Sequence, residues 1–167
     1  MSSFENEILG VDFGNVIIDH VGFGTTPEFF VSGDYNSIPP VEGAFESLRL
    51  LNKEKFKGNI FVLFKATDVA DHKIMSWIDH NKFCEYTGIL KKRIIRNENG
   101  RDKSKMCLEF GVTHFIDDRL EVLGFLTGKV KNLYLFRPNN EEAAKFKETA
   151  SQVHEVNDWY SLVDKIL

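Results

Sequence analysis

The chain has 167 residues, of which 43% are hydrophobic and 28% charged, so it can bury the core of one domain. Its net charge of −4 argues against a general nucleic-acid binder, which usually has a basic surface. No apolar run approaches the roughly 20 residues of a membrane span, and the polar N-terminus is unlike a signal peptide. Cys84 and Cys107 lack metal-ligand spacing, which favours two buried, reduced thiols in a cytoplasmic protein. We therefore expect one domain over residues 1–167.

Short apolar runs, typical of strands, alternate along the chain with segments whose apolar residues have helical spacing. In chain order they predict a strand at 7–12, a helix at 41–54, a strand at 60–64, a helix at 69–82, a strand at 90–96, a helix at 101–110, a strand at 113–118, a helix at 119–127, a strand at 133–136 and two final helices at 140–151 and 158–167. The irregular stretch 17–38 is long for a plain loop, which suggests a small flap after the first strand.

This alternation predicts an α/β fold in three layers, a Rossmann-like parallel sheet with helices on both faces. Strands that are apolar throughout, without polar alternation, agree with burial on both faces. Ligands of such folds bind at the carboxyl ends of the strands, so the residues there deserve scrutiny. They are Asp12 after the first strand, residues 65–67 after the second, Arg96 after the third, and Asp117 and Asp118 after the fourth.

If the first and fourth strands are neighbours, three carboxylates meet at one edge of the sheet. The negative charges of three such carboxylates repel one another unless a positive charge lies among them. Mg²⁺ suits the cluster because it prefers oxygen ligands and keeps water molecules that a phosphate can replace. A nucleophilic Asp beside the ion could attack phosphorus, and Lys103 could offset the charge.

These residues resemble the haloacid dehalogenase (HAD) superfamily, in order and spacing, over about residues 7–137. In that family a strand ends in D-x-D-x-(T/V), the next strand ends in Ser or Thr, a Lys opens a later helix, and a further strand ends in an acidic pair. The corresponding segments are D-F-G-N-V (12–16), F-K-A-T (64–67), R-D-K (101–103) and F-I-D-D-R (115–119). The resemblance implies a HAD-like fold without a large cap domain, and Mg²⁺-dependent hydrolysis, most often of phosphate esters.

The resemblance also implies roles for individual residues. Asp12 would be the nucleophile and Lys103 the catalytic, phosphate-binding lysine, although Lys105 is close enough to compete. The implied metal ligands are Asp12, the main-chain carbonyl of Gly14, Asp117 and Asp118. The candidates for contact with the phosphate or the substrate are Asn15, Lys65, Thr67 and Lys103.

Two positions depart from the family pattern. Gly14 stands where phosphatases of the family usually have a second Asp, the general acid that protonates the leaving group. General acid–base catalysis typically contributes about 10²–10⁴-fold. Phe64 occupies the position aligned with the phosphate-binding Ser or Thr, and Thr67 comes three residues later. Both departures favour an alternative in which the domain is weakly active or inactive.

Most of these residues also have a structural explanation. Thr67 is best explained as the N-cap of the following helix, with phosphate contact as the second interpretation, and Asp117–Asp118 could cap the helix after them. Asn15 suits an unusual turn conformation. Lys103 could be an exposed helix residue. Arg119 could orient the acidic pair, and the basic residues near the third strand could serve an anionic partner or protect a solvated edge.

The five histidines show no ligand spacing, and we expect them at the surface or in ordinary hydrogen bonds. The leading hypothesis is a Mg²⁺-dependent phosphomonoesterase acting on a phosphorylated small molecule or macromolecule, with no membrane partner. Nucleic acid is disfavoured as a partner, and an oligomer remains open. The alternatives are a catalytically inactive domain that binds a metal, a phosphorylated ligand or a protein, and a dehalogenase, which would not need the acidic pair.

Overall fold

The computed structural model describes residues 6–97 and 100–167, without the side chains of residues 100–102, so Arg101 and Asp102 of the third motif lie outside that description. Its strands are β1 (Leu9–Val11), β2 (Ile60–Lys65), β3 (Ile94–Asn97), β4 (His114–Asp117), β5 (Asn132–Phe136) and β6 (His154–Val156). They form one parallel sheet in the order β3-β2-β1-β4-β5-β6. Strand order therefore reverses between β1 and β4, which is where ligands bind in open α/β sheets.

Helices cover both faces of the sheet. They are α1 (His20–Phe23), α2 (Pro27–Ser32), α3 (Ala44–Leu51), α4 (Asp68–His80), α5 (Phe83–Thr87), α6 (Gly100–Glu109), α7 (Leu120–Gly124), α8 (Asn140–Lys145), α9 (Lys147–Ala150) and α10 (Trp159–Ile166). One hydrophobic core packs α3, α4, α5 and α10 against the sheet, and a second packs α6 and α7. The predicted three-layer α/β fold is confirmed.

Trp77 and Trp159 hold the first core together. Both side chains are fully buried, as predicted for packing residues. Each indole N–H finds a main-chain acceptor, the carbonyl of Ile38 for Trp77 and that of Val16 for Trp159, both at 2.8 Å. These bonds satisfy the polar edge of each ring and tie the chain after β1 to α4 and α10.

The segment 17–38, called the flap segment below, is more regular than predicted. It contains α1, α2 and a 3₁₀ turn at Tyr35–Ser37. The side chain of Asp19 caps α1, and that of Thr26 caps α2, which begins with Pro27. Local capping therefore makes short helices from a stretch without helical periodicity.

Other predicted boundaries also shift. The strand expected at 90–96 begins only at Ile94, after a 3₁₀ turn at Lys91–Arg93, and it lies at the edge of the sheet as expected. The helix expected at 140–151 is split into α8 and α9, and the sequence prediction missed strand β6.

The two cysteines differ in exposure. Cys107 is buried but Cys84 is only partly buried, and both thiols are free. Along the described ranges, no helix is long and apolar enough to cross a membrane.

Candidate active site

The pairing of β1 with β4 brings the predicted acidic residues together. Val11 lies opposite Ile116, and the Asp12 amide donates to the Ile116 carbonyl at 2.9 Å. Both strands therefore end at the same level, with Asp12 after one and Asp117 closing the other. Asp12, Asp117 and Asp118 each place a carboxylate oxygen within 4.8 Å of the other two.

Lys103, which lies on α6, forms ion pairs with two of these carboxylates. Its Nζ lies 2.6 Å from Asp12 Oδ1 and 3.0 Å from Asp117 Oδ2, and its side chain is 5% exposed. Lys105, two residues on, is exposed and faces Glu109 at 4.0 Å. The structure thus selects Lys103 of the two lysines and rules out the exposed-helix interpretation for it.

One ammonium among three carboxylates leaves the cluster short of positive charge. Burial and the neighbouring Asp12 raise the pKa of Asp117 to about 8, although Lys103 acts against them. Burial and Asp12 likewise raise the pKa of Asp118 to about 6. For Lys103, burial acts to lower the pKa, but Asp12 and Asp117 outweigh it and the net shift is upward. The lysine is charged, and the cluster attracts further positive charge.

The donor set fits a hard divalent cation. Ligands on opposite sides of an octahedral Mg²⁺ are about 4 Å apart, given bonds of about 2.0–2.1 Å. Adjacent ligands of the ion are about 3 Å apart, and the three carboxylate oxygens, all within 4.8 Å of one another, are near enough to share one ion. Carboxylate oxygens are also the ligand type that Mg²⁺ prefers. Asp12, Asp117 and Asp118 could therefore hold the ion, while the predicted main-chain ligand at Gly14 stays a prediction.

Asn15 donates a hydrogen bond to the third carboxylate of the cluster, that of Asp118. Its backbone is left-handed, with φ of 57°, the unusual turn expected of Asn. Its Nδ2 donates to Asp118 Oδ2 at 3.3 Å, and its Oδ1 accepts from the Val21 amide at 3.0 Å. Asn15 thus links Asp118 to the flap segment, and its predicted contact with phosphate stays a prediction.

The expectation that the acidic pair caps α7 is wrong. The N-cap residue of α7 is Arg119, whose side chain makes no capping bond, and the Glu121 amide in the first turn donates instead to Glu142 Oε1 at 3.3 Å. Asp117 instead accepts a bond from the Arg119 amide through Oδ1 at 3.0 Å, which orients the carboxylate. The Arg119 guanidinium lies 2.7 Å from Glu121, and its predicted electrostatic effect on the acidic pair stays a prediction.

A cavity of about 780 Å³ opens onto the cluster. Its floor includes Asp12, Lys103 and Asp117, and its walls come from β2, α4, α7 and the flap segment. The residues that line it from the flap segment and from β2 to α4 are His20, Phe30, Val31, Tyr35, Phe64, Lys65, Thr67, Val69, Ala70, Lys73 and Ile74. The predicted candidates Gly14, Asn15, Lys65, Thr67 and Asp118 all line it as well.

The segment F-K-A-T (64–67), the predicted second motif, contributes both to the core and to the lining of the cavity. Phe64 is 2% exposed and packs in the first core while also lining the cavity. Thr67 is the N-cap of α4, as predicted, because its Oγ1 accepts from the Ala70 amide at 3.3 Å. Its hydroxyl proton is not needed for that bond and can be donated to a bound oxygen.

The flap segment is attached to α4 beside the cavity. Asn36 Nδ2 donates to Ser76 Oγ at 3.1 Å, and Lys73 Nζ donates to the Phe30 carbonyl. Phe30 and Val31 remain exposed, at 41% and 83%, respectively. The cavity therefore has an apolar rim on the side of the flap segment.

His20 is a site residue that the sequence prediction missed. Its ring lines the cavity, and burial lowers its pKa although Asp12 and Asp19 act to raise it. Nothing in the sequence separates His20 from the other four histidines, because its place depends on how the chain turns back at Asn15. By contrast, His114 is buried within the sheet at 4% exposure.

Two of the basic residues near β3 pair with acidic side chains, and a third packs on an aromatic ring. Lys91 pairs with Asp79 at 2.7 Å, Arg96 pairs with Asp68, and the Arg93 guanidinium lies 4.7 Å from the centre of the Phe61 ring. These contacts agree with a solvated edge strand. A role toward an anionic partner stays a prediction.

Solved structures resemble the fold of this protein along nearly the whole chain. A D,D-heptose 1,7-bisphosphate phosphatase from B. bronchiseptica, complexed with magnesium and phosphate, superposes with a TM-score of 0.61 at 11% identity, covering 96% of this chain and 97% of that one. A haloacid dehalogenase-like hydrolase from Burkholderia xenovorans gives 0.62 at 14% identity, covering 96% of each chain. The phosphatase from Burkholderia thailandensis gives 0.53 at 13% identity, with 96% and 97% covered.

The chain has a HAD-like fold. No protein-family model matches it, and no curated protein matches its sequence. At 11–14% identity the likeness to solved structures establishes the fold and not the activity. In this HAD-like fold the four predicted motifs occupy the ends of β1, β2 and β4 and the start of α6, as the resemblance implied.

Proposed function

We propose that the chain is a Mg²⁺-dependent phosphomonoesterase that acts through an aspartyl-phosphate on Asp12. The observation that carries this proposal is the buried cluster of Asp12, Lys103, Asp117 and Asp118 at the ends of β1 and β4. Its place in a HAD-like fold, shared with a phosphatase bound to magnesium and phosphate, supports the same chemistry.

Each residue of the cluster has a role in the proposed reaction. A carboxylate oxygen of Asp12 attacks phosphorus, and the ester oxygen leaves. Lys103 Nζ, already 2.6 Å from Asp12, binds a phosphoryl oxygen and offsets the charge that accumulates in the transition state. Asp12, Asp117 and Asp118 would hold Mg²⁺, which supplies Lewis-acid polarisation of the phosphoryl group. Asn15 keeps Asp118 in place.

The cavity favours a phosphorylated small molecule as the substrate. Its volume of about 780 Å³ lies within the roughly 300–1,000 Å³ that is usual for small-molecule sites. Lys65 and Lys73 supply positive charge, while Phe30, Val31 and Val69 supply apolar surface. We infer a substrate in which the phosphate is joined to a group with an apolar face.

The proposal is tested with a panel of phosphorylated metabolites, assayed for phosphate release with Mg²⁺. We expect Asp12→Asn to abolish turnover, because the amide is not a nucleophile. The matched control is Asp164→Asn on α10, which changes an exposed carboxylate outside the cavity. After acid quenching, peptide mass spectrometry should find the phosphoryl group on the peptide that contains Asp12.

Mg²⁺ binding is measured separately from activity by titration calorimetry. We expect wild-type protein to bind the ion and Asp117→Asn to bind it much more weakly. If the protein binds Mg²⁺ but hydrolyses none of the esters, the phosphatase proposal is wrong and the result favours the non-catalytic alternative. Full activity of Asp12→Asn would show that the nucleophile is misassigned.

A further inference from the structure

Three apolar residues at the rim of the cavity are exposed. Phe30 and Val31 on α2 are 41% and 83% exposed, and Val69 on α4 is 68% exposed. All three line the cavity that opens onto Asp12. Single exposed apolar residues are common on protein surfaces, whereas several around one cavity mark a surface that a ligand covers.

The contact between the flap segment and α4 brings the two sides of this rim together. Lys73 Nζ donates to the Phe30 carbonyl, and Lys73 lies one helical turn after Val69 on the same face of α4. Val31 directly follows Phe30 on α2. The two valines therefore flank the junction between α2 and α4, where both line the cavity.

Phe30 is part of an aromatic wall. Its ring centre lies 5.1 Å from that of His20 and 6.2 Å from that of Tyr35, and all three rings line the cavity. Phe13 and Phe64, whose ring centres are 6.2 Å apart, line it from the side of the sheet. Aromatic walls offer broad, rigid apolar surface, which suits a planar ring better than a polyol.

The walls outside the acidic cluster offer few partners for the hydroxyl groups of a sugar. Among the lining residues that the structure describes, Glu121 supplies the carboxylate outside the cluster, and Arg119 pairs with it at 2.7 Å. The Lys73 ammonium is bonded to the Phe30 carbonyl. A sugar bound against these walls would bury hydroxyls without hydrogen bonds, which costs free energy that an apolar ring does not lose.

We propose that Phe30, Val31 and Val69 determine substrate specificity and select the phosphate ester of a ring-bearing, apolar alcohol over a sugar phosphate. The inference rests on the proposed phosphomonoesterase function and names its substrate class. The phosphoryl group lies at the acidic cluster, and the apolar group of the alcohol covers the three exposed side chains. These residues contact the alcohol and not the reacting atoms, so they act on binding and not on the chemical step.

Two esters of primary alcohols test this selection, because their leaving groups differ little in reactivity. They are 2-phenylethyl phosphate and glucose 6-phosphate, assayed for phosphate release with Mg²⁺. We expect kcat/KM to be at least about 100-fold higher for the phenylethyl ester. Equal values, or a preference for glucose 6-phosphate, would overturn the assigned substrate class, while the phosphatase proposal would stand.

Val31→Asn and Val69→Asn each replace an exposed apolar side chain by a polar one of similar size. We expect each variant to raise KM for 2-phenylethyl phosphate by about 10-fold. The kcat should stay nearly unchanged, because an apolar contact is the same in the ground state and the transition state. KM for glucose 6-phosphate should change by less than about twofold. An unchanged KM for the phenylethyl ester in both variants would overturn the role of the valines.

Val21→Asn is the matched control, since Val21 is 75% exposed on α1 but does not line the cavity. Its KM for both esters should equal that of the wild type. Phe30→Ser and Phe23→Ser form a second matched pair, because the two residues are 41% and 42% exposed and only Phe30 lines the cavity. Only Phe30→Ser should raise KM for the phenylethyl ester.

Binding measured without turnover separates this inference from the proposed function. The probe is 3-phenylpropylphosphonate, which has the shape of the phenylethyl ester but a CH₂ group in place of the ester oxygen. Titration calorimetry with Mg²⁺ should show about 10-fold weaker binding to Val31→Asn than to the wild type. If neither ester is hydrolysed but this difference is found, the phosphatase proposal fails and the apolar site stands. A wild-type protein that neither hydrolyses the esters nor binds the phosphonate would overturn both.

Discussion

At the residue scale, Lys103 and Lys105 show what a helical sequence can and cannot specify. Two residues apart on a helix are about 200° apart around its axis, so only one of the two lysines can face the sheet. The R-D-K-S-K pattern is compatible with either. The fold selects Lys103, because α6 packs near β2 and β3 with the Lys103 ammonium 3.0 Å from Asp117.

The position of Lys103 leads to a prediction about stability. Lys103→Met should lower the free energy of unfolding by about 3–5 kcal/mol, the usual cost of removing one partner from a buried ion pair. The reason is that Asp12 and Asp117, at 12% and 0% side-chain exposure, would lose the charge that compensates them. Urea denaturation at low Mg²⁺ measures the change.

Lys105→Met is the matched control, because it makes the same substitution two residues along the same helix. Its side chain is 78% exposed and faces Glu109 at 4.0 Å, so its unfolding free energy should change by less than about 0.5 kcal/mol. Similar losses for the two variants would show that Lys103 contributes no special electrostatic stabilisation.

At the element scale, the central strands were the most predictable part of the chain. Their apolar runs end abruptly at polar residues, so both the strands and the placement of Asp12 and Asp117 follow from the pattern. The missed strand β6 has only three residues, two of them exposed, and therefore lacks that signal. The helices α1 and α2 have four and six residues and depend on caps more than on periodicity.

The close approach of β1 to β4 gives a second prediction. A Cβ added at Gly10 would lie 2.5 Å from Cδ2 of Phe115, whose ring is fully buried. We expect Gly10→Ala to destabilise the protein by about 1–3 kcal/mol, because overpacking forces the strand or the ring to move. Thermal or urea denaturation measures the loss.

Gly14→Ala, four residues later, is the matched comparison. Its added methyl group meets only His20 at 3.7 Å, so we expect little change in stability or a small gain from a less flexible unfolded chain. If Gly14→Ala were as harmful as Gly10→Ala, the space beside His20 would be smaller than the structure shows.

At the scale of the whole molecule, the sequence specified the layers but not the order of the strands. Alternating elements predict a parallel sheet, yet nothing in β1 or β4 alone states that they are neighbours. That adjacency came from the HAD resemblance, and the candidate site depends on it, since Asp12 and Asp117 are more than a hundred residues apart. The position of His20 at the cavity could not be predicted for the same reason, because its surroundings come from the flap segment and the end of β1.

Acid stability is a property of the whole molecule to which His114 in β4 contributes. The ring lies within the sheet between Phe56 and Tyr134, with Nδ1 2.9 Å from Thr113 Oγ1. Burial lowers its pKa to about 4, although Glu7 acts to raise it. In the unfolded chain the pKa returns to about 6.5, so between pH 6.5 and 4 the unfolded state binds more protons than the folded state.

Stability from His114 is therefore present above pH 6.5 and decreases as the pH falls toward 4, by about 3 kcal/mol in all. His114→Gln cannot take up this proton, so its unfolding free energy should depend less on pH over that interval than that of the wild type. Urea denaturation at half-unit steps from pH 7 to 4 gives the difference between the two curves. His80→Gln, exposed on α4, should retain the wild-type slope. Parallel curves for His114→Gln and the wild type would show that His114 titrates normally in the folded protein.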